Sequence, residues 1–267
     1  MVDVTVDQLG REISLYSRPT RIVSLVPSQT ELLVHLGLRN FLVGITKFCV
    51  HPGDLRKTTT VVGGTKRVHL DRVKRLNPEI ILCNMEENTP EMVGALEEIA
   101  PVHVSDVRNL DDAIDLIGQY GEIFDVPTKA ACLKAEIEKA ARKLAQELEG
   151  EPPKRAAYLI WKKPWMAVGK DTFIDHLMAR NHLENIFLPG EGRYPEFEVD
   201  SLKEREAELI LLSSEPFPFG EKERQSLRGM FGPARVHLVN GQYFSWYGSR
   251  LKAAFEYFRG LYPTLLS

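Results

Sequence analysis

The sequence predicts an α/β protein of two lobes, each a parallel-type sheet with flanking helices, joined by one long backbone helix. Three observations carry that expectation. Short apolar, β-branched runs alternate with helical patterns along the chain. The stretch Pro127–Glu149, PTKAACLKAEIEKAARKLAQELE, holds no internal Gly or Pro and is dominated by strong helix formers. LDRVKRLNPEIILCNME (70–86) also aligns without a gap on VDSLKEREAELILLSSE (199–215) at a constant offset of 129, which brings Asp71 onto Asp200, Lys74 onto Lys203, Glu79 onto Glu208 and Glu86 onto Glu215. Matched acidic positions point to duplication of a helix–strand unit; a chance match of two such units with charged faces is the alternative.

Taken in order, Ile22–Val26 reads as a strand that stops at Pro27-Ser28 and passes into the helical pattern TELLVHLGL, with Ser28 or Thr30 as cap and Glu31 in the first turn. FLVGI (41–45), TVVGG (60–64), EIILC (79–83) and VHVS (102–105) are further strands, with helices at Leu70–Leu76, Glu91–Ile99 and Leu110–Phe124. The long helix, about 22 residues, spans roughly 33 Å. Leu133, Ile137, Ala140/Ala141, Leu144 and Leu148 form its single apolar stripe. Gly150-Glu151-Pro152-Pro153 breaks it. Alternation resumes with strand 156–161, helices Thr172–Ala179 and Ser201–Arg205, strands 208–212 and 235–239, and a last helix Arg250–Leu261. The expected division is an N-terminal lobe 1–126, a connecting helix 127–150 and a C-terminal lobe 151–267.

The formal charge of −3 over 267 residues gives no global reason to bind nucleic acid or an anionic membrane, so basic clusters are read locally. No apolar run reaches the roughly 18 residues that would cross a bilayer, and the opening VDVTVDQLGREISL has neither the basic nor the apolar region of an export signal. Two compartments stay open: cytoplasmic for the chain as it stands, or periplasmic or lipid-anchored if a signal has been removed. Cys49, Cys83 and Cys132 are odd in number and far apart, which argues for reduced thiols over a disulfide framework or a cysteine zinc site.

In open parallel sheets, ligands bind outside the carboxyl ends of the strands, and two lobes can face those edges across a cleft. The candidates therefore follow the strands: Pro27-Ser28-Gln29, Lys47-Phe48, Thr65-Lys66-Arg67 and Glu86-Glu87-Asn88 in the first lobe, and Trp161 to Trp165, Glu215 to Phe219 and Ser245-Trp246-Tyr247 in the second. Trp161 and Trp165 around Lys162, Lys163 and Pro164 suit a site where flat rings stack on a ligand and ammonium groups meet its acids. The competing reading is that one tryptophan, Trp161 before Trp165, packs the lobe core.

The order of SLVPSQTELLVHLGL, VVGGTK, LDRVKRLNPEIIL, the long helix and VGKDTFIDHLMARNHLENIF, from about Arg21 to Tyr262, resembles the class III, helical-backbone solute-binding proteins of ABC importers. It is most similar to the branch of vitamin B12 and iron-siderophore binders, the helical backbone metal receptor type. The resemblance implies a non-enzymatic receptor with no intrinsic cofactor, capturing a metal chelate or tetrapyrrole such as cobalamin, haem or a ferric siderophore in the interlobe cleft. It implies a small-molecule ligand and an ABC permease dimer as partners, without nucleic acid or membrane insertion. Tyr194 falls where the B12 binder has a cleft tryptophan, and Thr65-Lys66 where it has another cleft aromatic. Asp71 and Asp200 fall where one acidic residue per lobe pairs with permease arginines; capping of their own helices is the competing reading. Lys66 and Arg67 make the expected cleft more basic than a corrin needs.

The expected ligand set is Lys66, Arg67, Glu86, Trp161, Lys162, Trp165, Tyr194, Glu215, Phe217, Trp246, Tyr247 and Arg250. AVGKDTF is not a P-loop, because Pro164 stands where its first glycine belongs and Asp171 follows the lysine. Cys49 and His51 with Glu86 and Glu87 could converge on a metal, but the seven histidines are scattered and no metal ligand set is expected. Glu86 and Glu215 could do acid–base work on the same scaffold, which leaves a cytosolic metallocofactor-handling protein or enzyme as the alternative; pairing with arginines such as Arg193 or Arg250 is the favoured role.

Overall fold

A computed structural model describes residues 3–232 and 235–266. It divides into two compact units. Of the described residues, the first comprises 3–107, 111–136 and 247–250; the second comprises 108–110, 137–232, 235–246 and 251–266. The boundary falls inside the long helix, and Tyr247–Arg250 belong to the first unit, a departure from the reading that gave 151–267 to one lobe.

The first unit opens with an antiparallel hairpin, β1 (Asp3–Val6) and β2 (Glu12–Leu15), which the sequence reading lacked. Its turn is built on Asp7, 4% exposed, whose carboxylate accepts from Leu9 N (3.0 Å), Arg11 N (2.9 Å) and Arg11 Nε (2.8 Å), and from Val104 N (3.1 Å). Burial pushes that carboxyl up, but the donors outweigh it and hold it below the ordinary value.

There follow β3 (Ile22–Ser24), α1 (Pro27–His35), β4 (Leu42–Thr46), α2 (Leu55–Thr58), β5 (Thr60–Gly63), α3 (Leu70–Arg75), β6 (Ile80–Asn84), α4 (Pro90–Glu97), β7 (Val102–Ser105) and α5 (Leu110–Ile123). The strands form one parallel sheet in the order β5-β4-β3-β6-β7. Every residue of β3, β6 and β7 is buried, as a sheet covered on both faces requires. Pro27, not Ser28 or Thr30, opens α1, with Val26 as an extended N-cap that makes no side-chain bond; the Thr30 hydroxyl donates back to Val26 O at 3.0 Å.

Helix α6 spans Pro127–Glu147, and its buried stripe is Leu133, Ile137, Ala141 and Leu144, continued past its end by Leu148. It ends two residues before the expected Glu149, and Gly150, at φ +84°, turns the chain.

The second unit continues with β8 (Lys154–Trp161), β9 (Met166–Ala167), α7 (Phe173–Arg180), β10 (Leu183–Asn185), α8 (Ser201–Glu204), β11 (Leu209–Ser213), α9 (Glu221–Phe231), β12 (Val236–Val239), α10 (Gly241–Ser245) and α11 (Leu251–Leu266). Its parallel sheet runs β10-β8-β11-β12, with β9 antiparallel on β8. Ala157, Leu159, Ile210, Leu212 and Phe187 lie at the centre of its core. Since α10 intervenes after β12, Ser245-Trp246-Tyr247 do not follow a strand directly, which corrects the expectation.

The repeat has a structural counterpart. Strands β6 and β11 lie at the offset of 129, each paired on both sides within its own sheet. Before each of them the helix ends in a left-handed residue, Asn77 (φ 44°) and Glu206 (φ 54°). Glu79 accepts from Thr20 N (2.6 Å) and Arg21 N (3.2 Å); Glu208 accepts from Arg155 N (2.9 Å) and Lys154 Nζ (3.1 Å). Arg21 donates to the Leu76 and Asn77 carbonyls at the end of α3, and Arg155 to the Arg205 carbonyl at the end of α8 (2.7 Å). These repeated charges hold each sheet at its amino edge.

Candidate functional site

In both sheets the chain reverses its direction of winding beside the first strand, between β3 and β6 and between β8 and β11. Adjacent loops leave such a point in opposite directions and open a crevice at the carboxyl edge.

In the second unit, that edge carries an aromatic wall. The loop after β11 returns against β8 through Phe217 N to Ile160 O (3.2 Å) and sets Phe217 edge-on to Trp161, with ring centroids 5.7 Å apart. Phe217 meets Phe219 at 4.7 Å, and Phe219 lies parallel to Trp165 at 5.9 Å. Lys162 places its ammonium 5.7 Å from the Trp165 ring and 3.3 Å from Glu223 Oε1. Trp161 is 40% exposed, whereas Trp165 packs partly against the core. The two therefore exchange the roles the sequence favoured, because Trp161 is the last residue of β8 and passes beyond the sheet while the β9 turn folds Trp165 back. The segment around Tyr194 runs beside that turn, with Gly169 N donating to Arg193 O (2.8 Å) and Phe197 N to Trp165 O (3.1 Å). Tyr194 itself is 37% exposed.

Other expected residues form the frame behind this surface. The Trp246 indole N–H donates to Glu215 Oε1 (2.9 Å), which also accepts from the Ser245 hydroxyl (2.8 Å), and Trp246 is only 8% exposed. Glu215 thus holds a buried tryptophan, and no arginine pairing of its carboxylate is seen among the described residues.

The first unit carries a different chemistry at its edge. Gln29, fully buried, donates to Ser105 Oγ (2.6 Å) and Tyr247 Oη (3.1 Å), and its carbonyl accepts from Tyr120 Oη (2.7 Å). Burial raises the phenols of Tyr120 and Tyr247 well above their ordinary value, so both remain neutral donors. Arg250 is committed to a bidentate pair with Glu31 at 2.9 and 2.6 Å. Tyr247 and Arg250, expected to face ligand, are therefore structural members of the first unit.

Beyond them, the loops after β4 and β5 line a groove of about 570 Å³ with Lys47, Phe48, Lys66, Arg67, His69 and Arg72. Lys66 Nζ also reaches the Glu86 carbonyl, whose amide donates to Asn84 Oδ1 (2.9 Å). His69 and Arg72 were absent from the sequence-based site because they are the N-cap and a first-turn residue of α3, not a strand end. Cys49 is buried between the Thr30 and Thr46 hydroxyls (3.1 and 3.3 Å), away from any ligand set. Among the described residues no three metal-binding side chains gather, and no helix is long and apolar enough to cross a membrane.

The family profile described as Periplasmic binding protein matches residues 22–230. The chain belongs to the periplasmic binding protein family. A vitamin B12-binding protein of Photorhabdus laumondii is 24% identical over 250 residues, covering 91% of this chain and 88% of that one. The crystal structure of the periplasmic vitamin B12-binding protein BtuF of Vibrio cholerae superposes with a TM-score of 0.81 at 18% identity, over 93% of this chain and 97% of the other. A periplasmic haem-binding protein of Pseudomonas aeruginosa gives 0.78 at 20% identity, over 92% and 93%. The family member described here has the class III fold, and these relatives are binding proteins, not enzymes.

Proposed function

We propose that this periplasmic binding protein is the solute receptor of an ABC-type uptake system and captures a metal chelate or tetrapyrrole, of the class that includes cobalamin, haem and ferric siderophores. The observation that carries the reading is the aromatic wall at the carboxyl edge of the second sheet. Trp161 and Phe217 offer ring faces for stacking, Tyr194 extends that surface, and Lys162 adds a cation beside Trp165. Lys66 and Arg67 are assigned to acidic groups of the ligand; Trp246, Glu215, Tyr247 and Arg250 hold the loops in place. No step of chemistry is required of any of them. Asp71 and Asp200 are assigned to permease docking: both are exposed, and Asp200, although N-cap of α8, makes no capping bond.

Native mass spectrometry and an absorption spectrum of the untagged protein, followed by titration with cobalamin, haemin and ferric siderophores, test the reading. Saturable binding of one class, weakened at least tenfold by Trp161→Ala, is expected. Absence of binding across the panel, or an affinity untouched by that substitution, overturns it.

A further inference from the structure

We propose that the groove at the edge of the first sheet is an anion subsite, which selects ligands bearing carboxylate or phosphate groups over neutral ones. The inference rests on the reading above for the ligand's ring system and adds the charge that the ligand must carry.

The groove has three properties that together specify an anion. Its lining contains the cations Lys47, Lys66, Arg67 and Arg72 and no carboxylate. Among the described residues none of those four is held in an ion pair. In a chain of net charge −3, four cations on a lining that holds no carboxylate make this groove locally positive.

The backbone fixes this arrangement. Gly63 has φ +145°, and a Cβ there would stand 2.5 Å from the Arg67 carbonyl oxygen. Gly64 N donates to that same oxygen at 2.8 Å, so residues 64–67 close into a tight turn with Lys66 at its tip and Arg67 on its returning arm. Lys47 N donates to Gly63 O (2.8 Å), which ties the loop after β4 to it. Phe48, 48% exposed, lies over Gly64 and under the Lys47 ammonium, 5.0 Å from the ring centroid. Arg72 is anchored through Nη1 to the Val61 carbonyl at 3.2 Å and keeps its other donors for the groove. An aromatic ring among cations that share one groove is suited to an acid-bearing arm of a larger molecule, because the ring packs on its apolar part while the cations meet its acid.

The test separates acids carried by a ring ligand from free anions. The full chain is titrated with haemin and with haemin dimethyl ester, which keeps the ring and iron but lacks both carboxylates, at low and high salt. Haemin is expected to bind at least tenfold more tightly than the ester, with the gap shrinking as salt rises and closing in a Lys47→Gln/Arg67→Gln variant. Both positions are exposed, and a circular dichroism melt verifies that the variant is folded. Equal affinities, or a gap that survives in the folded variant, overturn the subsite. If neither ring ligand binds, the haem form of the functional reading fails alone, and inorganic pyrophosphate followed by ³¹P NMR decides the groove. Saturable binding lost in the variant upholds it as a site for free anions, and no binding overturns it.

Discussion

Gln29 shows how little a residue's identity reveals of its role before the chain is folded. It follows Pro27-Ser28 at a strand end and was therefore legible as a candidate for ligand contact, yet its amide is spent on Ser105, Tyr120 and Tyr247 inside the first unit. Gln29→Leu leaves the fully buried Tyr120 hydroxyl without its acceptor, and a loss of about 1–3 kcal/mol is expected in urea unfolding. His103 lies in the same unit. Burial, the largest cause, lowers its imidazole below the ordinary 6.5, and Gln119 Oε1 at 2.9 Å accepts the proton on Nε2. The unfolded chain thus takes up a proton that the folded one refuses, and stability present above pH 6.5 falls as pH drops from there towards the lowered folded value. Unfolding of wild type and His103→Leu between pH 7 and 5 measures this: the variant's stability is expected to vary less with pH. Trp161 and Trp165 carry the same lesson, since a pattern of aromatics and lysines marks a loop as unusual without saying which ring faces water.

At the scale of the element, the helix–strand repeat was legible because its acidic positions recur at one offset. What they do was not legible. Glu79 and Glu208 each bind the backbone where the neighbouring strand begins, a contact between segments 58 and 53 residues apart in sequence. Backbone donors, from Thr20 and from Arg155 respectively, are the largest cause holding both carboxyls below their ordinary 4.5. A lowered carboxyl contributes stability above that value, which is lost as pH falls through the folded value. The double variant Glu79→Gln/Glu208→Gln is therefore expected to lose stability at pH 7 and to show a shallower acid decline between pH 5 and 3, read by thermal melting. The hairpin β1–β2 escaped the sequence reading for a related reason: a short alternation around Gly10 is weak evidence by itself, and the buried Asp7 that secures it is satisfied partly by Val104, far along the chain.

For the molecule as a whole, two consequences follow from the receptor reading. A bound solute stabilises the folded state by mass action, about 2.7 kcal/mol at a hundredfold excess over Kd, so a correct ligand raises the melting temperature in a concentration-dependent way. The docking assignment separates from binding: Asp71→Asn/Asp200→Asn should leave ligand affinity unchanged and abolish stimulation of the permease ATPase in reconstituted vesicles. A variant that still stimulates fully would return both aspartates to the service of their own helices.

The α/β alternation, the long uninterrupted helix and the repeated unit could all be read from the chain alone, because each depends on periodicity and spacing in one dimension; the resemblance to the solute-binding family rested on the order of its motifs. Which strand-end residues are left for a ligand depends instead on how the folded chain brings distant segments together. Trp246, Tyr247, Glu215 and Arg250 are drawn into hydrogen bonds and ion pairs whose partners lie remote in sequence or around an intervening helix, while Lys47 and Arg72 join Lys66 and Arg67 through the close approach of two loops. Burial and charge cancellation are properties of neighbours in space, and a linear pattern contains neither.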